Sequence, residues 1–254
     1  MDEKIPLPKY VNFLAPAVTF LIFFGLWEFM VRWFEVQTVM VPAPTVIISC
    51  LFGNFGELAP HLWETLCTIM LGFLIGAPLG ILIAALIANY KLVSDAVNPF
   101  IIVLVTTPLM TLLPILAVWM GFDIRMRVVG TIIQCFPIIN MNACTGFLNV
   151  PYTRIELMQS LKASRIQRFF QVTFLSALPS VFTGLKLGSI FATTGCIAVE
   201  YVASTSGIGN RIQYYTKFYK TEYAFACIFL VAAISVSVYS LLSFLEKRIV
   251  HWKI

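Results

Sequence analysis

Residues 151–179 read PYTRIELMQSLKASRIQRFFQVTFLSALP, a polar, basic stretch between runs that are almost wholly apolar. It holds Arg154, Lys162, Arg165 and Arg168 against the single acid Glu156. Apolar residues recur within it at helical spacing, as Ile155, Met158 and Leu161, then Ile166, Phe169 and Phe170. Only 11% of the 254 residues are charged, so a large share of the charge is concentrated here. In a membrane chain such a segment reads as a structured cytoplasmic element that meets a soluble partner.

The flanking runs fix the class. The chain is 59% hydrophobic with a mean hydropathy of +0.90. Soluble domains are about half apolar and about a quarter charged. Six stretches are long enough for the roughly 20 residues that cross a bilayer core: about 11–34, 65–88, 97–121, 126–148, 178–200 and 223–245. They use most of the chain, which predicts an all-α, six-span membrane protein with residues 1–254 as one domain. The net charge of +5 is read as loop charge, not as a nucleic-acid surface. The first run is too long for a signal-peptide core and is read as a retained helix. The six cysteines are scattered and read as small packed side chains. His61 and His251 form no ligand cluster, so no metal is expected.

Six spans place both termini on one side. With that side cytoplasmic, Lys4, Lys9, Lys91, Arg154, Lys162, Arg165, Arg168, Lys247, Arg248 and Lys253 lie inside. Arg32, Arg125, Arg127, Arg211, Lys217 and Lys220 lie outside, a bias that favours termini inside. Lys186 falls within the fifth span, near enough to its cytoplasmic end to snorkel. Small residues at four-residue spacing predict close helix contacts: Gly72, Gly76, Gly80, Ala84 and Ala88 on the second span, and Gly184, Gly188, Ala192 and Cys196 on the fifth. Pro78, Pro99, Pro108, Pro114 and Pro137 lie in or beside spans and are expected to kink them.

Inside the basic stretch, Thr153–Glu156 and Ser164–Gln167 both match the capping-box pattern. Two short helices are predicted, about 153–162 and 165–175, with a bend at Ala163–Ser164. Tyr152, Thr153, Arg154, Glu156, Leu157, Met158, Leu161, Lys162, Ala163, Ser164 and Arg165 are the candidate docking residues. Leu157, Met158 and Leu161 are the apolar anchors, and Arg154, Lys162 and Arg165 the rim. Glu200 ends the fifth span near the outer face and is expected to pair with Arg211 or bond the Gly207–Gly209 turn. Glu200, Gly207, Gly209, Tyr214 and Tyr215 are candidate outer-gate or pathway residues. Tyr201, Tyr214, Tyr215, Phe218, Tyr219 and Tyr223 also suit an interfacial aromatic belt. Arg125 and Arg127 suit pairing with acids on an external protein.

Glu156, Ala163-Ser164, Val172 and Leu178-Pro179 fall where permease subunits of ABC importers carry their EAA loop, here about 149–177. The chain departs from that pattern at Leu157, Met158, Leu175 and Lys162, the last standing where the family has glycine. Trp27-Glu28, Pro42-Ala43-Pro44, His61-Leu62, Pro108, Pro114, Trp119-Met120-Gly121, Phe136-Pro137, Glu200 and Ser206-Gly207-Ile208-Gly209 follow in order. Together they resemble the nitrate/sulfonate/taurine-type permeases, whose relatives also import thiamine precursors and riboflavin. The resemblance implies a type I importer permease in a bacterial cytoplasmic membrane. It implies three partners: a second permease subunit, a cytoplasmic ATPase dimer that grips the loop helix, and an extracytoplasmic binding protein. ATP and magnesium would act on the ATPase; no cofactor is expected on this chain, which lacks G-x-x-x-x-G-K-[ST] and is not expected to be an enzyme. The rival reading is a secondary transporter or channel that needs no ATPase. Phe, Met, Thr106, Thr107, Asn140, Asn142, Thr193 and Thr194 in charge-poor spans suit neutral or aromatic cargo as well as a small anion.

Overall fold

The computed structural model describes residues 9–252. Lys4 and Lys253, and the side chain of Lys9, counted among the cations above, lie outside the described residues. The regular elements of the described residues are all helices: α1 Lys9–Trp33, α2 Pro44–Gly53, α3 Phe55–Asn89, α4 Lys91–Thr106, α5 Leu109–Met120, α6 Ile124–Leu148, α7 Tyr152–Ser160, α8 Arg165–Arg168, α9 Leu175–Ala203, α10 Ile208–Lys217 and α11 Thr221–Ile249. A π-helical stretch, Phe169–Phe174, joins α8 to α9.

Helix α6 lies at the centre, between α3 and α9. The glycines explain why. A methyl on Gly76 would stand 2.7 Å from Cys135 Sγ, and one on Gly80 would stand 3.0 Å from the Phe136 carbonyl oxygen. On the other side, methyls on Gly184 and Gly188 would run into Asn142 and Ile139. Lipid gives helices no hydrophobic reason to associate, so backbone proximity and interhelical hydrogen bonds must hold them. Asn140 supplies one such bond, its amide donating to the Gly80 carbonyl at 3.0 Å. Ile69, Phe73, Cys135, Ile139, Ala192 and Cys196 fill the seam.

The predicted third span is two helices. α4 and α5 meet at a 102° bend. Thr107 (ψ 118°) and Pro108 (ψ 125°) are extended, as a residue before proline is pushed to be. The hydroxyls of Thr106 and Thr107 bond back to the Ile102 and Val103 carbonyls at 2.9 and 2.7 Å. Val103 also accepts the Thr107 N–H at 2.9 Å, so the carbonyls left without a helical donor lie beyond it. Pro78, Pro99, Pro114 and Pro137 sit inside uninterrupted helices, so of the prolines singled out above only Pro108 stands at a break.

Two further corrections concern the basic stretch and the last loop. The second short helix does not end at residue 175. Residues 165–203 form one helical segment of 39 residues, because nothing between the π-helical stretch and α9 stops it. The 201–222 segment contains α10, and α2 lies between the first two predicted spans. Lys186 pairs with Glu246 of α11 at 2.6 Å, so its charge is met inside the bundle.

Candidate functional site

Glu57, His61, Glu64, Thr65 and Thr68 recur along one face of α3. Arg127 comes from the first turn of α6 and Glu200 from the last turn of α9, beside the Ser204–Gly209 turn. Glu200 is fully buried. Its carboxylate accepts from the Thr65 hydroxyl at 2.8 and 3.0 Å and from the Gly209 N–H at 3.0 Å. The Thr65 hydroxyl in turn accepts from the Ile208 N–H at 2.8 Å. Arg127, 6% exposed, stands between two acids: Nη2 lies 3.0 Å from Glu64, and Nη1 lies 3.5 Å from Glu200. Glu64 also accepts from the Ser206 hydroxyl at 2.8 Å. Two carboxylates thus share one guanidinium, and backbone N–H groups carry the rest of the buried charge.

Gly207 is required where it stands. Its φ is +91°, and a methyl there would overlap the Glu200 carboxyl group. A methyl on Gly209 would lie 2.6 Å from Glu200 Cβ. Glu200, Gly207 and Gly209 are therefore one unit, and Arg211 is not part of it. Arg211 donates from Nε to His61 Nε2 at 2.8 Å. A neutral imidazole has one unprotonated nitrogen, so this bond places the proton on Nδ1 and makes the 3.4 Å approach of the Gly207 N–H a weak contact. Tyr214 is exposed, whereas Tyr215 is buried and donates to Glu57 at 3.3 Å. Burial, and after it the Glu57 carboxylate, pushes the Tyr215 hydroxyl up to about 12. Tyr215 does not belong to an aromatic belt. Arg127, expected to face an external protein, is inside; Arg125 is exposed, 3.8 Å from Asp123.

The opposite end carries the basic stretch. α7 begins one residue earlier than expected, with extended Pro151 as its cap and the Arg154 N–H donating to the Pro151 carbonyl at 3.0 Å. Thr153 is thus already inside the helix, and the Thr153–Glu156 capping box does not form. The Ser164–Gln167 box does, at 3.3 and 2.8 Å. Between them α7 ends in a Schellman turn: Ala163 N–H donates to Met158 and Lys162 N–H to Gln159, at 3.0 and 2.9 Å. Lys162 has φ +55°, a left-handed position that favours glycine. Ile155 and Met158 are half-buried, while Leu157 and Leu161, one turn apart, are 62% and 69% exposed. Arg154 reaches Ser176 of α9 at 3.1 Å.

Near the C-terminal end of α1, Glu28 and Arg32 pair one turn apart, and Arg32 donates to the Thr45 hydroxyl at 3.1 Å. Glu28 accepts from the Thr45 N–H at 3.0 Å and from its hydroxyl at 2.8 Å, so a carboxylate sits on the N-terminus of α2, just after Pro42-Ala43-Pro44.

A bundle of apolar helices long enough to cross a membrane, with an exposed basic segment at one end, has the form of a polytopic membrane protein. Residues 76–251 match the family of binding-protein-dependent transport system inner membrane components, and the chain belongs to it. It is the permease subunit of an ABC importer. It is 27% identical over 245 residues to the formylaminopyrimidine transport permease ThiX of Halalkalibacterium halodurans, covering 94% of this chain and 96% of that one. It is 27% identical over 224 residues to the taurine transport system permease TauC of Escherichia coli, covering 85% and 82%. The fold is similar to a chain of the inward-facing MetNI methionine ABC transporter, with a TM-score of 0.60 at 22% identity, over 76% of this chain and 94% of that one.

Proposed function

We propose that residues 151–165 are the element through which an ATPase drives this permease. The exposed apolar pair Leu157 and Leu161 supports this reading. A nine-residue helix is marginal alone, yet α7 presents these side chains to solvent at the end of the bundle. Tyr152, Arg154, Glu156, Lys162 and Arg165 are exposed on the same segment. Residues 1–254 act as one permease domain that pairs with a second permease subunit, the same or paralogous, while an ATPase dimer binds ATP and magnesium below. Both termini and α7 then face the cytoplasm, and the Glu200 cluster faces the extracytoplasmic binding protein. α7 and the C-terminal end of α11 lie at the same end of the bundle, with four cations in the basic stretch and Lys247 and Arg248 at the end of α11, as a cytoplasmic face requires. The cargo is a small organic solute, of the vitamin or pyrimidine-precursor kind or a sulfonate.

The test is co-purification with candidate ATPase subunits in detergent. Wild type retains the ATPase; Leu161→Asp and Glu156→Ala lose it, or lose stimulated hydrolysis, with thermal unfolding unchanged. Full transport by both variants would overturn the assignment.

A further inference from the structure

Helix α6 holds Gln134 ten residues from Ile124 and fourteen from Leu148. At 1.5 Å per residue that is about 15 Å from one end and about 21 Å from the other, near the middle of the bilayer. The other amides of this helix are satisfied: Asn140 on the Gly80 carbonyl and Asn142 on the Ile138 carbonyl, at 3.0 and 2.8 Å. The Gln134 amide makes no hydrogen bond among the described residues, and it is half-buried, not sealed. An amide left without partners in hydrocarbon costs several kcal/mol, so a polar group must reach it.

The surroundings show what kind. Gln134 lines a hollow of about 100 Å³ with Leu104 and Val105 of α4, Pro137 and Ile138 of α6 and Phe191 of α9. The hollow lies against the C-terminal turn of α4, at the broken span. Pro108 has no N–H to return to the Leu104 carbonyl, so the last turn of α4 keeps acceptors free and turns the negative end of its dipole this way. Gly195 makes the seat: a methyl there would lie 2.7 Å from Gln134 Cβ. No charged side chain lines the hollow.

We infer that this hollow is a mid-membrane contact for the transported solute, with Gln134 as its hydrogen-bonding side chain, and that it takes an uncharged, donor-bearing, ring-containing solute in preference to an anion. The inference rests on the importer reading. An amide offers both donor and acceptor, the freed carbonyls accept only, and Phe191 offers a flat face. Nothing in the hollow compensates a sulfonate or nitrate charge.

The test uses Ile138→Cys, a lining position of the same hollow that leaves Gln134 in place, in the full transporter reconstituted with its ATPase, with labelling at residue 138 read by peptide mass spectrometry. ATPase co-purification is scored first, so that failure of the importer reading is seen separately. The expected result is modification by a charged, water-borne methanethiosulfonate in at least one nucleotide state, slowed at least ten-fold by millimolar formylaminopyrimidine and not by taurine. Modification only by a lipid-soluble maleimide, or by neither reagent, would show a lipid-facing or subunit-buried position and overturn the site. Protection by taurine, or by neither probe, would overturn the solute class. Gly195→Ala, which displaces the Gln134 stem, is expected to weaken the formylaminopyrimidine protection of Ile138→Cys; unchanged protection also counts against the seat.

Discussion

Replacing Glu200 by alanine removes the acceptor for two buried donors, the Thr65 hydroxyl and the Gly209 N–H. Each buried donor left unsatisfied costs about 1–3 kcal/mol. Arg127 keeps Glu64 at 3.0 Å, so the larger penalty of an unpaired buried charge does not arise. The expected loss is roughly 3–5 kcal/mol, a fall of between two and four orders of magnitude in the folding equilibrium. Glu200→Gln keeps one carbonyl acceptor and is expected to lose only about 1–2 kcal/mol. Steric trapping in bicelles measures both, with reaction of the buried thiols of Cys135, Cys196 and Cys227 as an independent report of opening. Glu200→Ala with Thr65→Val is expected to cost less than the sum of the single changes, because donor and acceptor leave together. A loss below about 1 kcal/mol for Glu200→Ala, or equal losses for alanine and glutamine, would refute the account of this cluster.

Three further outcomes follow from single positions. Gly207→Ala, at φ +91° and against the Glu200 carboxyl, is expected to destabilise by about 2–4 kcal/mol in the same assay; a neutral effect would mean the turn relaxes freely. Lys162→Gly is expected to preserve or strengthen ATPase capture, whereas Lys162→Val, β-branched at φ +55°, costs about 1–2 kcal/mol in the α7 end and weakens capture. Equal affinity of the two variants in a pull-down would count against the Schellman turn as a functional element. Glu28→Ala is expected to cost about 1 kcal/mol locally and to speed amide hydrogen exchange at Thr45 to Ile47, where the carboxylate is lost from the α2 N-terminus.

What could be read from sequence was what depends on neighbours along the chain. Long apolar runs gave the spans, and four-residue glycine spacing pointed to close-contact faces on α3 and α9. The Ser164–Gln167 cap was visible because its two partners are three residues apart. The Thr153–Glu156 pair has the same spacing and fails, since Pro151 starts the helix one residue early and moves Thr153 past the capping position. Arg127 looked like loop charge because its partners, Glu64 and Glu200, are far away in the chain. The recurrence of Glu57, His61, Glu64, Thr65 and Thr68 on one helical face was the signal that could have revealed the cluster. α10 escaped because it is short and mixes Asn210, Arg211 and Lys217 with its apolar residues. The break at Pro108 was among the expected kinks, but nothing in the sequence set it apart from Pro78, Pro99, Pro114 and Pro137, which leave their helices unbroken.

The continuity of residues 165–203 has a mechanical consequence. The segment has 39 residues with no loop inside it, a rod of roughly 58 Å at 1.5 Å per residue. A tilt of about 5° around its middle carries each end through roughly 2.5 Å. Ser164 caps one end of this lever, and Glu200 lies in the last turn of the other. A displacement of that size exceeds the slack in bonds of 2.8–3.0 Å to Thr65 and Gly209. A push on α7 therefore either drags α3 and the Gly207 turn along with α9 or breaks their grip on the carboxylate.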